Sequence, residues 1–370
     1  MIYQLFFCAV SCFFMSVLLI PFLIWISDKY NLYDSVCERK IHNGNISRFG
    51  GVAIFLSFFP VAIYILMEFK TDFNVFLLIL GMFIAFMSGF IDDLKRIRAR
   101  YKLFSQVIAA SFVFASGLMV SDLRIYTVLH IEFGFFSYFI TVLWIVAFMN
   151  AVNLIDGLDG LSTGIVLIAN LFVIIMSVII QNNLVLFLSL SLEFSILGFY
   201  LFNFPPAKIF LGDGGAYFIG FMYAVLPLMG VKKSSALAVF LIPMILMLVP
   251  VSDVIAVMYN RFKKGQSIFT PDRNHLHHRL LNIGFSTKGI LGVIYFYTAI
   301  LGVFAIIMMY SKPEYTVFLF IFIILIFCLS IYILRKAEGV IACMQDKNHM
   351  IKDENEEKTV IPKLFIKKVS

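Results

Sequence analysis

Apolar residues run along this chain in blocks of about 17 to 24, each closed by a short polar segment. A helix crossing the hydrocarbon core of a bilayer needs about 20 apolar residues. Eleven blocks meet that need, at roughly 3–26, 50–69, 73–91, 103–120, 136–152, 162–180, 184–203, 214–230, 236–258, 289–310 and 314–335. Polar motifs bite into the edges of the fifth and eighth. The pattern predicts an all-α polytopic integral membrane domain over 1–337. The rest, 338–370, is a charged tail without periodicity, in which Asp353-Glu354-Asn355-Glu356-Glu357-Lys358 reads as a solvated end. The sequence carries no visible internal repeat, which counts against an inverted-repeat transporter.

Composition agrees with that pattern. Hydrophobic residues make up 61% and charged residues 14%, against about 25% charged in soluble domains. The first block has no basic segment before it and no small-residue cleavage site after it, so it reads as a span rather than a signal peptide. The five cysteines are scattered and form no C-x-x-C motif, which excludes a zinc ribbon or a disulfide scaffold. Basic residues set the orientation. With the N-terminus outside, the inner segments hold 24 of the 29 Lys and Arg and the outer segments hold five. Without the tail the bias is still 16 to five. The expected topology is N-terminus outside and C-terminus cytoplasmic.

Against that background the carboxylates stand out. Gly89-Phe90-Ile91-Asp92-Asp93 closes the third block. Asn153-Leu154-Ile155-Asp156-Gly157-Leu158-Asp159-Gly160 joins the fifth and sixth. Leu211-Gly212-Asp213-Gly214-Gly215 opens the eighth, and Asp253 lies near the inner end of the ninth. All fall on the cytoplasmic side of the expected topology. Ionisable groups at membrane depth are costly and mark functional sites by default. Each motif also has a plainer reading. Asp92 can be an interfacial turn residue, Asp213 a helix N-cap, and Asp253 a buried structural hydrogen-bonding group. Two adjacent carboxylates at a helix C-terminus, where the dipole disfavours anions, call for a cation. Asp156 and Asp159, three apart, share a face in a helical turn.

Opposite the acids are bases. The 259–288 loop carries Arg261, Lys263, Lys264, Arg273, His275, His277, His278 and Arg279. A zinc site is one reading of the three histidines. With no cysteine nearby and arginines on both sides, an anion site for a pyrophosphate is preferred. Acids suited to Mg²⁺ facing bases suited to phosphates, at one membrane surface, describe a phosphoryl-transfer site.

These motifs resemble the polyprenyl-phosphate N-acetylhexosamine-1-phosphate transferases, within them the WecA and TagO branch. Besides the Asp motifs, Arg39-Lys40-Ile41-His42, Gly50-Gly51 and Pro271-Asp272-Arg273-Asn274-His275-Leu276-His277-His278 carry the likeness. Leu276 splits the histidines, unlike the uninterrupted triplet of the MraY branch. Ser47 and Arg48 stand where the family commonly has a proline.

The resemblance implies transfer of a sugar-1-phosphate, GlcNAc-1-phosphate in first place, from a UDP-sugar to undecaprenyl phosphate, with release of UMP. Its implied cofactor is Mg²⁺, with Mn²⁺ as an alternative, and its implied location is a bacterial inner membrane with the site facing the cytoplasm. Asp213 and Asp159 are then the metal residues, and Asp92, Asp93 and Asp156 the catalytic ones. Asn153, Lys102, Arg261, Arg273, His275, His277 and His278 bind the substrates. Partners are the UDP-sugar, undecaprenyl phosphate and membrane lipids, not nucleic acid, with a homodimer as a candidate assembly. The rival reading is a membrane carrier of nucleotide sugars or polyprenyl lipids; within the family, it is an enzyme for another UDP-N-acetylhexosamine. A carrier would place charges mid-span along a path.

Overall fold

A computed structural model describes residues 2–33, 46–125, 129–230, 276–311 and 318–329, with single positions at 243, 248, 261, 315, 332 and 336. Eight helices follow one another from the N-terminus. They are α1 (Ile2–Tyr30), α2 (Gly50–Glu68), α3 (Val75–Lys95), α4 (Ala99–Ala115), α5 (Ser137–Ile155), α6 (Leu161–Ile179), α7 (Asn183–Asn203) and α8 (Gly212–Leu228). The short α9 (Leu276–Asn282) leads into α10 (Thr287–Tyr310), and α11 covers Phe318–Leu329. The protein is thus mainly helical, as the apolar blocks predict.

Each of the first eight blocks and the tenth coincides with one helix. Among the described residues, seven helices are long and apolar enough to cross a membrane. Helices α4 and α8 have 17 residues each, or about 26 Å, at the short end of what spans a bilayer. The ninth block lies outside the described residues apart from Pro243 and Leu248, and so does Asp253.

Two local features differ from expectation. Helix α3 continues past Ile91 to Lys95, so Asp92 and Asp93 sit inside its last turns. The helix stops there because Arg96 takes the left-handed region at φ 44°, its N–H closing the last turn on the Asp92 carbonyl. Between α4 and α5 there is an antiparallel hairpin, β1 (Asp122–Ile125) with β2 (Leu129–Glu132). Its register puts Leu123 opposite Ile131 and Arg124 opposite His130.

Helix α8 is the hub. Every residue from Gly214 to Leu228 is buried, the mark of a helix surrounded on all sides. It packs on α3, α5 and α2, while α1 lies on α7 and α2, and α10 on α6. Phe55, Phe86 and Phe218 knit α2, α3 and α8. The first two rings stack at 4.0 Å between centroids, and Phe218 meets Phe55 edge-on at 5.1 Å. In lipid such contacts act through close packing rather than through release of water. A second apolar cluster joins Ile155, Leu158, Leu161 and Ile165 to Ile290, Leu291 and Ile294 of α10.

One charge lies where the sequence reading placed none. Glu193 sits midway along α7, and its Oε2 accepts from Asn170 Nδ2 of α6 at 2.8 Å. The same Asn170 amide donates to the Ser189 carbonyl at 2.9 Å. A carboxylate at this depth needs such a donor. With Asn170 completely buried, this hydrogen bond ties α6 to α7 midway along α7.

Candidate active site

The alternation of helices brings the ends of α3, α5 and α7 and the starts of α2, α4, α6 and α8 to one end of the bundle. Glycine makes their approach close enough. A Cβ on Gly89 would lie 2.2 Å from the Asp213 carbonyl oxygen, so α3 and the start of α8 touch backbone to backbone. Gly212 has φ +75°, and a Cβ there would lie 2.2 Å from the Arg48 carbonyl and 2.7 Å from Asp93 Oδ2. No larger residue fits either position. The Gly-containing motifs of the sequence are therefore the two halves of one helix crossing.

Asp93 holds that crossing. Its Oδ1 accepts the Asp213 N–H and its Oδ2 the Gly214 N–H, both at 2.9 Å. A carboxylate from α3 thus satisfies the free N–H groups at the start of α8, where the helix dipole also favours an anion. The residue preceding α8, Leu211, supplies no side-chain cap. Asp213 is accordingly not the cap that sequence reasoning weighed, and its carboxylate is available for other work.

That carboxylate meets Lys102 and Asn153. Lys102 Nζ donates to Asp213 Oδ2 at 2.8 Å, and Asn153 Nδ2 donates to Asp213 Oδ1 at 3.0 Å. Lys102 Nζ also lies 2.6 Å from Asp92 Oδ2. The other Asp92 oxygen, Oδ1, accepts the Ile97 N–H at 2.7 Å. Four residues from α3, α4, α5 and α8, distant in sequence, form one polar cluster. One turn deeper, Gln106 of α4 and Asn150 of α5 pair at 2.7 Å and floor it.

The 156–160 loop forms the neighbouring wall. Asp156 Oδ1 accepts from Ser162 Oγ at 2.5 Å. Burial pushes the Asp156 carboxyl up to about 7; the Ser162 hydroxyl counters this, the nearby Asp213 charge adds to it, and the Arg48 guanidinium counters it. Asp159 is buried and its Oδ2 accepts the Ala207 N–H at 2.9 Å. It thus ties this loop to the 204–211 loop. Asn203 does the same, accepting from Gly160 N–H at 3.1 Å and Thr163 Oγ1 at 3.0 Å and donating to the Ile209 carbonyl at 2.9 Å. From α10, Tyr295 Oη donates to the Gly160 carbonyl at 2.5 Å.

Of the residues expected from sequence, the structure brings Asp92, Asp93, Lys102, Asn153 and Asp213 together, with Asp156 beside them and Asp159 in the supporting loop. Arg261 is buried. Arg273 and His275 lie outside the described residues, as do the side chains of His277 and His278, whose backbone belongs to α9. Arg48, Ser162, Asn203 and Tyr295 were not picked as site residues. The first three had a signal, since they stand within or beside the Gly- and Pro-rich motifs. Tyr295 had none, being one tyrosine among 16.

The donor set can be tested against a divalent cation. Asp92 and Asp213 turn one oxygen each toward a single cationic atom, with the Asp93 carboxylate just behind. These are hard oxygen ligands of the kind Mg²⁺ takes. Among the described residues, no three His, Cys, Asp or Glu side chains form a ready metal cage. Mg²⁺ is commonly held by one or two carboxylates and completes its shell with water and substrate phosphates.

The fold is that of a helical membrane domain with a carboxylate-rich site at one bundle end, and comparison with known proteins gives its class. Residues 75–231 match the model for glycosyl transferase family 4. A protein of Bacillus subtilis (strain 168), named as a probable undecaprenyl-phosphate N-acetylglucosaminyl 1-phosphate transferase, is 34% identical over 329 residues, 88% of this chain and 90% of the relative. A decaprenyl-phosphate N-acetylglucosaminephosphotransferase of Mycobacterium leprae (strain TN) is 31% identical over 314 residues, covering 75% and 77%. A phospho-N-acetylmuramoyl-pentapeptide-transferase of Staphylococcus carnosus (strain TM300) is 30% identical over 249 residues, covering 62% and 76%. The chain belongs to glycosyl transferase family 4, among its multi-pass polyprenyl-phosphate sugar-1-phosphate transferases.

Proposed function

We propose that this protein transfers N-acetylglucosamine-1-phosphate from UDP-N-acetylglucosamine to undecaprenyl phosphate at the cytoplasmic face of the membrane. One observation carries the reading: Asp92 and Asp213 converge on Lys102 at the end of the bundle where both substrates can meet. The lipid phosphate stays at that surface while its chain remains in the bilayer. The choice of sugar follows the relatives named for N-acetylglucosamine, which align over more of this chain than the muramoyl-pentapeptide enzyme. The cytoplasmic face follows from the 24-to-five basic bias.

In the reaction an oxygen of the lipid phosphate attacks the sugar-bearing phosphorus of the nucleotide sugar. The bond from that phosphorus to the UMP oxygen breaks, giving a lipid diphosphate sugar and UMP. Asp92 faces the lipid phosphate and orients it. Asp213, held by Asn153, and Asp92 would hold Mg²⁺, which when bound neutralises charge on the diphosphate. Asp93 keeps Asp213 in place by capping α8. Asp156, Asp159 and Asn203 fix the loops around the cluster. Arg261, Arg273, His275, His277 and His278 are the candidate diphosphate contacts, since donor-rich cationic groups stabilise the charge that develops on transferring phosphoryl groups.

The test is UMP release by purified protein in detergent. Release is expected with UDP-N-acetylglucosamine, undecaprenyl phosphate and Mg²⁺ together, and not when the lipid or the metal is omitted. Preference for UDP-N-acetylmuramoyl-pentapeptide would move the protein to the other branch of the family. Release without lipid would make it a hydrolase.

A further inference from the structure

Lys102 occupies an unusual seat. The two carboxylates around it are each pinned by one oxygen and open at the other. Asp92 Oδ1 is held by the Ile97 N–H and Asp213 Oδ1 by Asn153 Nδ2. Both Oδ2 atoms converge on Lys102 Nζ, at 2.6 and 2.8 Å. The acids are thus fixed independently of Lys102 by contacts that do not involve its ammonium. The ammonium is the adjustable member. It sits at the end of a four-carbon stem in the first turns of α4, and its side chain keeps 23% exposure.

We propose that Lys102 is a built-in counter-ion that a divalent cation displaces from Asp92 and Asp213. The proposal rests on the reading that this pair holds the metal. Two carboxylates this close repel in a partly buried site, and a cation between them relieves that repulsion. An ammonium and a divalent ion cannot both lie in contact with the same two oxygens, because Mg²⁺ or Mn²⁺ takes oxygen ligands at about 2.1 Å and would repel the ammonium. Lys102 therefore holds the site open and charged before loading. On loading, its ammonium swings to the exposed side, where it meets the phosphates of the incoming substrates. Metal affinity is set below the intrinsic affinity of the carboxylates, and Lys102 is a positioning residue in one state and a phosphate ligand in the other.

The experiment uses full-length protein in detergent, with Mn²⁺ as probe and free Mn²⁺ followed by electron paramagnetic resonance. If the ammonium fills the seat about nine-tenths of the time, removing it should tighten apparent Mn²⁺ binding about tenfold. Lys102→Met is expected to show that gain, together with a lower melting temperature in EDTA that Mn²⁺ raises more than in the wild type. Lys102→Gln should behave alike and serves where the first variant fails to fold. Unchanged or weaker Mn²⁺ affinity in a folded variant overturns the displacement while leaving the metal site standing. Absence of Mn²⁺ binding in the wild type and both variants overturns the displacement and the metal reading together.

Discussion

Asp213→Asn should abolish turnover while leaving the protein folded. The substitution keeps the shape of the side chain but removes the charge facing Lys102, and an amide nitrogen replaces one of the two oxygens that meet Lys102 and Asn153. Loss of a charge-stabilising group at the reacting centre costs about 10²-fold or more in rate. Stability should change little, because the start of α8 is capped by Asp93 and not by Asp213 itself. UMP release and a melting curve measured on the same preparation check both halves. Near-normal UMP release would show that this carboxylate serves structure alone.

Asp93→Asn should have a different signature. Both Asp93 oxygens accept backbone N–H groups at the start of α8. An asparagine has one acceptor oxygen, so one N–H faces another N–H and is left unsatisfied. That costs about 1–3 kcal/mol, and the helix dipole loses its compensating charge. The variant should melt earlier than Asp213→Asn, and its turnover should fall because Asp213 loses its footing. A variant that melts like the wild type yet is inactive would move Asp93 from positioning into contact with substrate.

The helices were legible because hydrophobic blocks of membrane length have few alternative structures. The site was legible because Asp beside Gly at block ends is costly without a purpose. The division of labour was not legible. Gly89-Phe90-Ile91-Asp92-Asp93 places two carboxylates side by side, and only the backbone crossing decides that Asp92 turns to Lys102 and Asp93 to α8. Asp156 and Asp159 share a motif as well, yet one takes a hydroxyl from Ser162 and the other a backbone N–H from Ala207. Such choices depend on how segments far apart in the chain pack together. Glu193 stands alone in an apolar run, with no motif around it to mark it. Its partner Asn170 is equally isolated in sequence and becomes meaningful only once α6 lies on α7.

The most direct test of the account follows the phosphorus. UDP-N-acetylglucosamine labelled with ³²P at the β position is incubated with purified protein, undecaprenyl phosphate and Mg²⁺, and lipid is separated from nucleotide. The account predicts label in the lipid product in step with UMP release, and neither in Asp213→Asn. Sugar appearing on the lipid while the label stays with UDP would contradict it, because the bond broken would then be the glycosidic one.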